Sequence, residues 1–169
     1  MSVRLGCLLL AFLSLAVVSS ADQFGDVIFQ APEGWSSVRQ ADSMLLIPGD
    51  VPKGFVLTVA IRKGEDLKER TLRQYMDDIM KAEVAGGATV VSSAPVQQTK
   101  LFSGIPLLTT TRVMTTREGA NYLTQYFVMA AGSRGELVTV ISNSEGVVKR
   151  YSDVIGRFVA ALQFGAPQP

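Results

Sequence analysis

Between Ile105 and Asn143 the chain holds three long β-forming runs separated by two tight turns, and this stretch commits the molecule to an antiparallel sheet. The runs are "IPLLTTTRVMTT" (Ile105 to Thr116), "NYLTQYFVMAA" (Asn121 to Ala131) and "ELVTVISN" (Glu136 to Asn143). The connections "REGA" and "GSRG" are far too short for the crossover that a parallel pair needs, so the three form a meander. Four earlier segments carry the same signals: Val27 to Gln30, Trp35 to Arg39, Met44 to Ile47 and Phe55 to Arg62, the last alternating and rich in β-branched residues. "ATVVSS" and "VQQTKLF" precede the meander. The expectation from these segments is an antiparallel sheet of about six or seven strands.

Two segments change period. From Asp66 to Val84, Leu72, Tyr75, Met76, Ile79, Met80 and Val84 recur at three and four residue intervals, the mark of a helix with one apolar stripe. Thr71 and Gln74 have capping-box spacing, Asp66 and Glu69 offer a start one turn earlier, and Gly86 and Gly87 end it. A second helix opens at Ser142 and Glu145 and places Val148, Tyr151, Ile155, Phe158, Val159 and Leu162 on one face. A helix with a single apolar stripe must lie on the sheet to bury it, so the fold class is α+β, with one inserted helix and one C-terminal helix.

The first 21 residues read as a secretory leader: Arg4, an apolar run from Leu5 to Val18, then the small residues Ser19, Ser20 and Ala21. The run falls short of the roughly 20 residues of a membrane span, and cleavage after Ala21 is expected to release the protein to the periplasm or the extracellular space. Of 169 residues, 148 then remain, forming one domain over 22–164 and a disordered tail over 165–169. The leader removes Arg4 and Cys7, so 16 basic residues become 15, against 15 acidic. Neutrality without a basic cluster speaks against nucleic acid and against an electrostatic membrane patch, leaving a protein or a small molecule as partner.

The chain has no His, and without the leader no Cys. Nucleophilic triads, thiol pairs and ordinary zinc sites all need imidazole or thiolate and are excluded. No Ser-x-x-Lys spacing occurs. Asp77 and Asp78 adjoin on the first helix, where neighbours point about 100° apart and do not converge as two catalytic carboxylates must. "GDVPKGF" (Gly49 to Phe55) spaces two glycines as a phosphate loop does, but Phe55-Val56 stands where Lys-Ser/Thr should follow, so it reads as a connection. No catalytic residue, cofactor site or metal site is expected.

Two binding surfaces are candidates. On the strand Ile105 to Thr116, the residues Thr110, Arg112 and Thr116 share one face and could line an open groove, although threonine is also simply a good strand former. Between the sheet and the inserted helix, Phe55, Tyr75, Met76 and Met80 could line an adaptable apolar pocket. Trp35, the single tryptophan, follows a Pro-Glu-Gly turn and is expected to pack over the sheet edge beneath a helix.

The order Phe29-x-Ala31-Pro32-x-Gly34-Trp35, an inserted helix, a long strand led by Gly104, a meander bearing Tyr122 and Tyr126, and a closing "FVAALQF" (Phe158 to Phe164) resembles the PsbP/Mog1-like superfamily, which includes DcrB-like bacterial periplasmic proteins. The resemblance spans Val27 to Phe164 and implies an α-β-α sandwich. It also implies binding or assembly work, since members support photosystem II, contact the small GTPase Ran or serve bacterial envelopes. The family shares no catalytic residues to carry over, and the metal-linked histidines of its plant member have no counterpart here. The expected function is therefore a non-catalytic secreted or periplasmic binding or assembly module acting through protein contacts, or alternatively a carrier of a small apolar ligand.

Overall fold

The computed structural model describes residues 21–165. The expected leader, apart from Ala21, and the expected tail beyond Gly165 lie outside the described residues. Thirteen elements follow in order: β1 (Asp22–Phe24), β2 (Val27–Phe29), β3 (Trp35–Arg39), β4 (Ser43–Pro48), β5 (Leu57–Asp66), α1 (Leu72–Ala85), β6 (Thr89–Ser93), β7 (Gln97–Lys100), β8 (Pro106–Thr115), β9 (Asn121–Ala131), β10 (Arg134–Ser142), α2 (Glu145–Ala160) and β11 (Gln163–Phe164).

Eight strands form the main sheet in the order β3-β4-β5-β10-β9-β8-β6, with β7 also on β8. The expected count of six or seven falls short of this. β6 and β7 pair with successive halves of β8, Arg112 to Thr115 and Pro106 to Thr109, so one long strand supports two short edges. A second sheet, β1-β2-β11, was not anticipated, because strands of two or three residues show no periodicity to read.

Alternation along the central strands builds two cores. Leu107, Met129, Val138, Val59 and Leu46 point to one face, where α2 contributes Val148, Ile155 and Phe158 and the small sheet contributes Phe24, Val27 and Phe29. The Phe29 ring meets Phe158 edge-on at 6.2 Å. Leu108, Val128, Tyr126 and Leu137 point to the other face, beneath Tyr75 and Met76 of α1. The molecule is thus layered as α2 with the small sheet, main sheet, α1. The second core is much the smaller, so α1 leaves part of its face uncovered.

The helix starts differ in an instructive way. At α1 the Gln74 amide donates to Thr71 Oγ1 at 3.2 Å and the Thr71 amide to Gln74 Oε1 at 2.8 Å, a reciprocal capping box. The earlier start at Asp66 is not used, because β5 continues to that residue, paired with Arg134. At α2 the cap is Ser144, accepting from the Val147 amide, and not Ser142. Ser142 is the buried last residue of β10, and its hydroxyl donates to the Val56 carbonyl at 2.6 Å. Replacing Thr71 by alanine should lower the unfolding free energy by about 1 kcal/mol in urea denaturation, because both capping amides lose their arrangement.

Candidate functional site

The uncovered part of the α1 face is a cleft of about 550 Å³, floored by β5, β10 and β9 and walled by α1. Its floor follows from the register. Leu137 lies opposite Arg62, Thr139 opposite both Ala60 and Tyr126, and Ile141 opposite both Thr58 and Thr124. Arg62, Thr139 and Thr124 therefore run diagonally across three adjacent strands, at steps of about 7–8 Å. Leu137 and Tyr126 flank this line on one side, Ala60 and Ile141 on the other. From the wall, Tyr75, Ile79, Ala82 and Glu83 face the floor. A second stretch of about 540 Å³ over β4 and β5 shares Arg62 and Ile141 with the first.

Two floor residues are unusual. Thr124 is 1 % exposed and Thr139 3 %, yet neither hydroxyl has a hydrogen-bond partner among the described residues. A buried hydroxyl without a partner costs about 1–3 kcal/mol. Both residues line the cleft.

Charges in the cleft are largely matched. Arg70 bonds Glu65 at 3.0 Å and Asp78 at 3.4 Å. The Tyr126 hydroxyl donates to the Glu83 carboxylate, and Tyr122 bonds the same group. Burial raises the Glu83 carboxyl above its ordinary range, with Arg112, Arg62 and the Tyr122 bond working against it. Burial also pushes the Tyr75 phenol up to about 12, aided by the charges of Glu65 and Glu136, so Tyr75 stays protonated and acts as an apolar wall with a polar tip. Arg62 and Lys63 have no ion pair among the described residues.

The residues singled out from sequence are dispersed. Thr110 is buried and spends its hydroxyl on the Ala94 carbonyl at 2.7 Å, while Arg112 reaches the Met80 carbonyl at 3.1 Å. Thr116 accepts from the Ala120 amide in the β8–β9 turn. This face of β8 lies under α1, so the three residues fasten structure and do not line an open groove. Of the expected pocket, Met76 is fully buried and Met80 half-buried beneath the helix, and Tyr75 alone lines the cleft. Phe55 is 47 % exposed in the loop before β5 and takes no part, because Asn143 holds that loop by bonds to Val56 and Gly54.

Trp35 is half-buried at the edge of the larger core, its ring edge-on to Tyr151 at 5.9 Å. The Tyr151 hydroxyl donates to Asp50 at 2.6 Å and holds that carboxyl below its ordinary range, which ties the "GDVPKG" loop to α2. Thr124 and Thr139 were not found from sequence. The signal available was a threonine within strand runs that carry apolar residues on both faces, "ELVTVIS" and "NYLTQYF". Among the described residues no cluster of carboxylates gathers to hold a metal.

No known family pattern matches the chain, and no curated protein matches it in sequence. Solved structures do. The cyanobacterial PsbP protein of Synechocystis superposes with a TM-score of 0.54 at 11 % identity, over 92 % of this chain and 99 % of that one. A Bacteroides thetaiotaomicron structure gives 0.51 at 14 % identity over 83 % of this chain, which spans 46 % of that longer one. A Pseudomonas aeruginosa protein of unknown function gives 0.48 at 10 % identity, over 80 % of this chain and 98 % of that one. The fold is PsbP-like, with a larger main sheet than expected.

Proposed function

We propose that this chain is a non-catalytic binding module of the periplasm or extracellular space, allied to the DcrB-like branch of the PsbP/Mog1-like proteins, and that it holds a small ligand in the cleft between α1 and the sheet. The observation that supports this reading is that Thr124 and Thr139, whose buried hydroxyls have no partner among the described residues, line the cleft. A volume of about 550 Å³ lies within the range of small-molecule sites. The lining is amphipathic, so the ligand is more polar than the apolar cargo anticipated from the methionines.

The assembly alternative would be served by a contiguous exposed apolar patch. The large exposed apolar side chains are instead distributed over both sheet edges, a helix end and loops: Val38 on edge strand β3, Val91 on β6 at the opposite edge, Val84 near the end of α1, Phe55 and Val56 in the β4–β5 loop, and Phe102 before β8. The non-catalytic part of the reading is supported by the missing imidazole, by a single cysteine that lies in the expected leader, and by Glu83, whose carboxylate is engaged by two tyrosines. Export is supported by the apolar run ending in Ser19-Ser20-Ala21. None of the described helices is long and apolar enough to cross a membrane.

A Thr124→Val/Thr139→Val double variant tests the site. Valine keeps the shape and removes both orphan hydroxyls, so the variant should gain about 2 kcal/mol in urea denaturation. Native mass spectrometry of the protein isolated from the cells that make it should show a retained small-molecule adduct that the double variant lacks. A destabilised variant, or a protein carrying no adduct, would remove the basis for the cleft reading; a protein cross-linked at the cleft rim would restore the assembly alternative.

A further inference from the structure

The pairing of charges around the cleft identifies the chemistry of what it takes. Glu65 and Asp78 share Arg70, and Glu83 is bonded by Tyr126 and Tyr122 and feels the charge of Arg112 first and, more weakly, that of Arg62. That leaves Arg62 and Lys63 on the rim with no carboxylate at ion-pair distance among the described residues. Arg62 also lies where the two stretches of the cleft meet. A guanidinium is a planar fork of donors that matches a carboxylate bidentately. The carboxylates already lining the cleft would repel a dianion more than a monoanion, which favours a carboxylate over a phosphate.

The second observation is where the orphan hydroxyls stand. Thr139 is the first diagonal neighbour of Arg62 and Thr124 the second, at about 7–8 Å per step, and the walls between them are Leu137 and Ile141, with Ile79 above. A molecule seated on Arg62 thus lies over Thr139 near its head, then along apolar walls, then over Thr124.

Resting on the cleft reading above, we infer that the ligand is a small amphipathic carboxylate: its carboxylate binds Arg62, a hydroxyl or amide near the head bonds Thr139, and its apolar body lies against Leu137, Ile141 and Ile79. The probes are 3-hydroxyoctanoate and 3-hydroxyoctanamide, which share the same body and differ at the head, an anionic carboxylate against a neutral carboxamide. Methyl resonances of Thr124, Thr139, Ile79 and Ile141 report binding by NMR titration of the protein. The acid should bind at least about tenfold more tightly than the amide, because a charge-assisted pair is replaced by a neutral one. Arg62→Gln should abolish that preference, whereas Arg150→Gln, whose side chain pairs with Asp50 outside the cleft, should keep it. Equal affinities for acid and amide, or a preference that survives in Arg62→Gln, would overturn the carboxylate assignment while leaving the cleft as a binding site. Cleft methyls that respond to neither probe would also overturn it, and the adduct measurement on the Thr124/Thr139 variant then decides the cleft reading on its own.

Discussion

Replacing Glu136 by glutamine is expected to stabilise the protein by about 3 kcal/mol at pH 8 and to change it little near pH 4. Glu136 is fully buried in β10, and neither carboxyl oxygen has a hydrogen-bond partner among the described residues. It sits at a bulge where the register with β5 shifts between Gly135 and Leu137, and its carboxyl fills the space that a side chain on Gly64 would take. The nearest cation, Arg134, lies 3.9 Å away but is committed elsewhere, to Asp26 at 2.6 Å and to the Gly64 carbonyl. Burial, then the charge of Asp26, push the Glu136 carboxyl up to about 7 against the pull of Arg134. The unfolded chain titrates near 4.5. Below that value both states hold the proton and there is no penalty. Between 4.5 and about 7 the unfolded state alone releases it, so stability falls as pH rises, reaching a plateau above 7 once the folded carboxyl is ionised too. Two and a half pH units of difference correspond to about 3 kcal/mol. Urea denaturation of both proteins from pH 4 to pH 8 isolates the group: the gap between them should open across that window, and a gap that is constant with pH would show that Glu136 titrates alike in the folded and unfolded states.

The parts of the fold that sequence disclosed are those where one physical signal dominates. β8, β9 and β10 carry long β-branched runs between turns too short for anything but hairpins, and α1 announces its start through Thr71 and Gln74. Where two signals compete, the tertiary pairing decides. Ser142 and Glu145 have the spacing of a cap, but Ser142 is paired in β10 with Leu57 and Leu123, so the helix waits for Ser144. β1 and β11 form only because β2 lies between them, and neither could be read alone.

The binding residues were less legible for a related reason. Alternation tells which residues of β8 share a face, and Thr110 with Arg112 do, but it does not tell which face a helix covers. α1 settles over β8 and β9, so that polar stripe is buried and spent on Ala94 and Met80. The open part of the same face lies over β5 and β10, where Arg62 and Thr139 become neighbours across a strand boundary. Such a constellation exists in register and not in sequence distance. Its members are separated by dozens of residues, and each looks like an ordinary strand residue.

The position of α1 above that cleft hangs on Gly135, and Gly135→Ala is expected to cost about 2–3 kcal/mol and to disturb the cleft with it. Gly135 is a buried β10 residue whose conformation needs no glycine, so backbone strain plays no part. The constraint is room: a β-carbon there would lie 2.5 Å from Tyr75 Cε1 and 2.6 Å from Leu67 Cδ2. Both neighbours are themselves buried, at 4 % and 7 % exposure, and neither can swing to solvent without opening the smaller core. Tyr75 lies on the first turn of α1 and Leu67 just before it, so relief of the clash lifts the start of the helix away from the sheet. The rest of α1 carries Ile79 and Glu83, and a lifted helix would carry those side chains off the floor of the cleft. In a Tyr75→Leu background the ring atoms that clash are gone, and the same Gly135→Ala change should cost less than about 1 kcal/mol, a coupling that a double-mutant cycle reads directly. A cost unchanged in that background would mean that Leu67, and not the helix, resists the added methyl. The cleft methyls of Ile79 and Ile141 should then stay at their native positions.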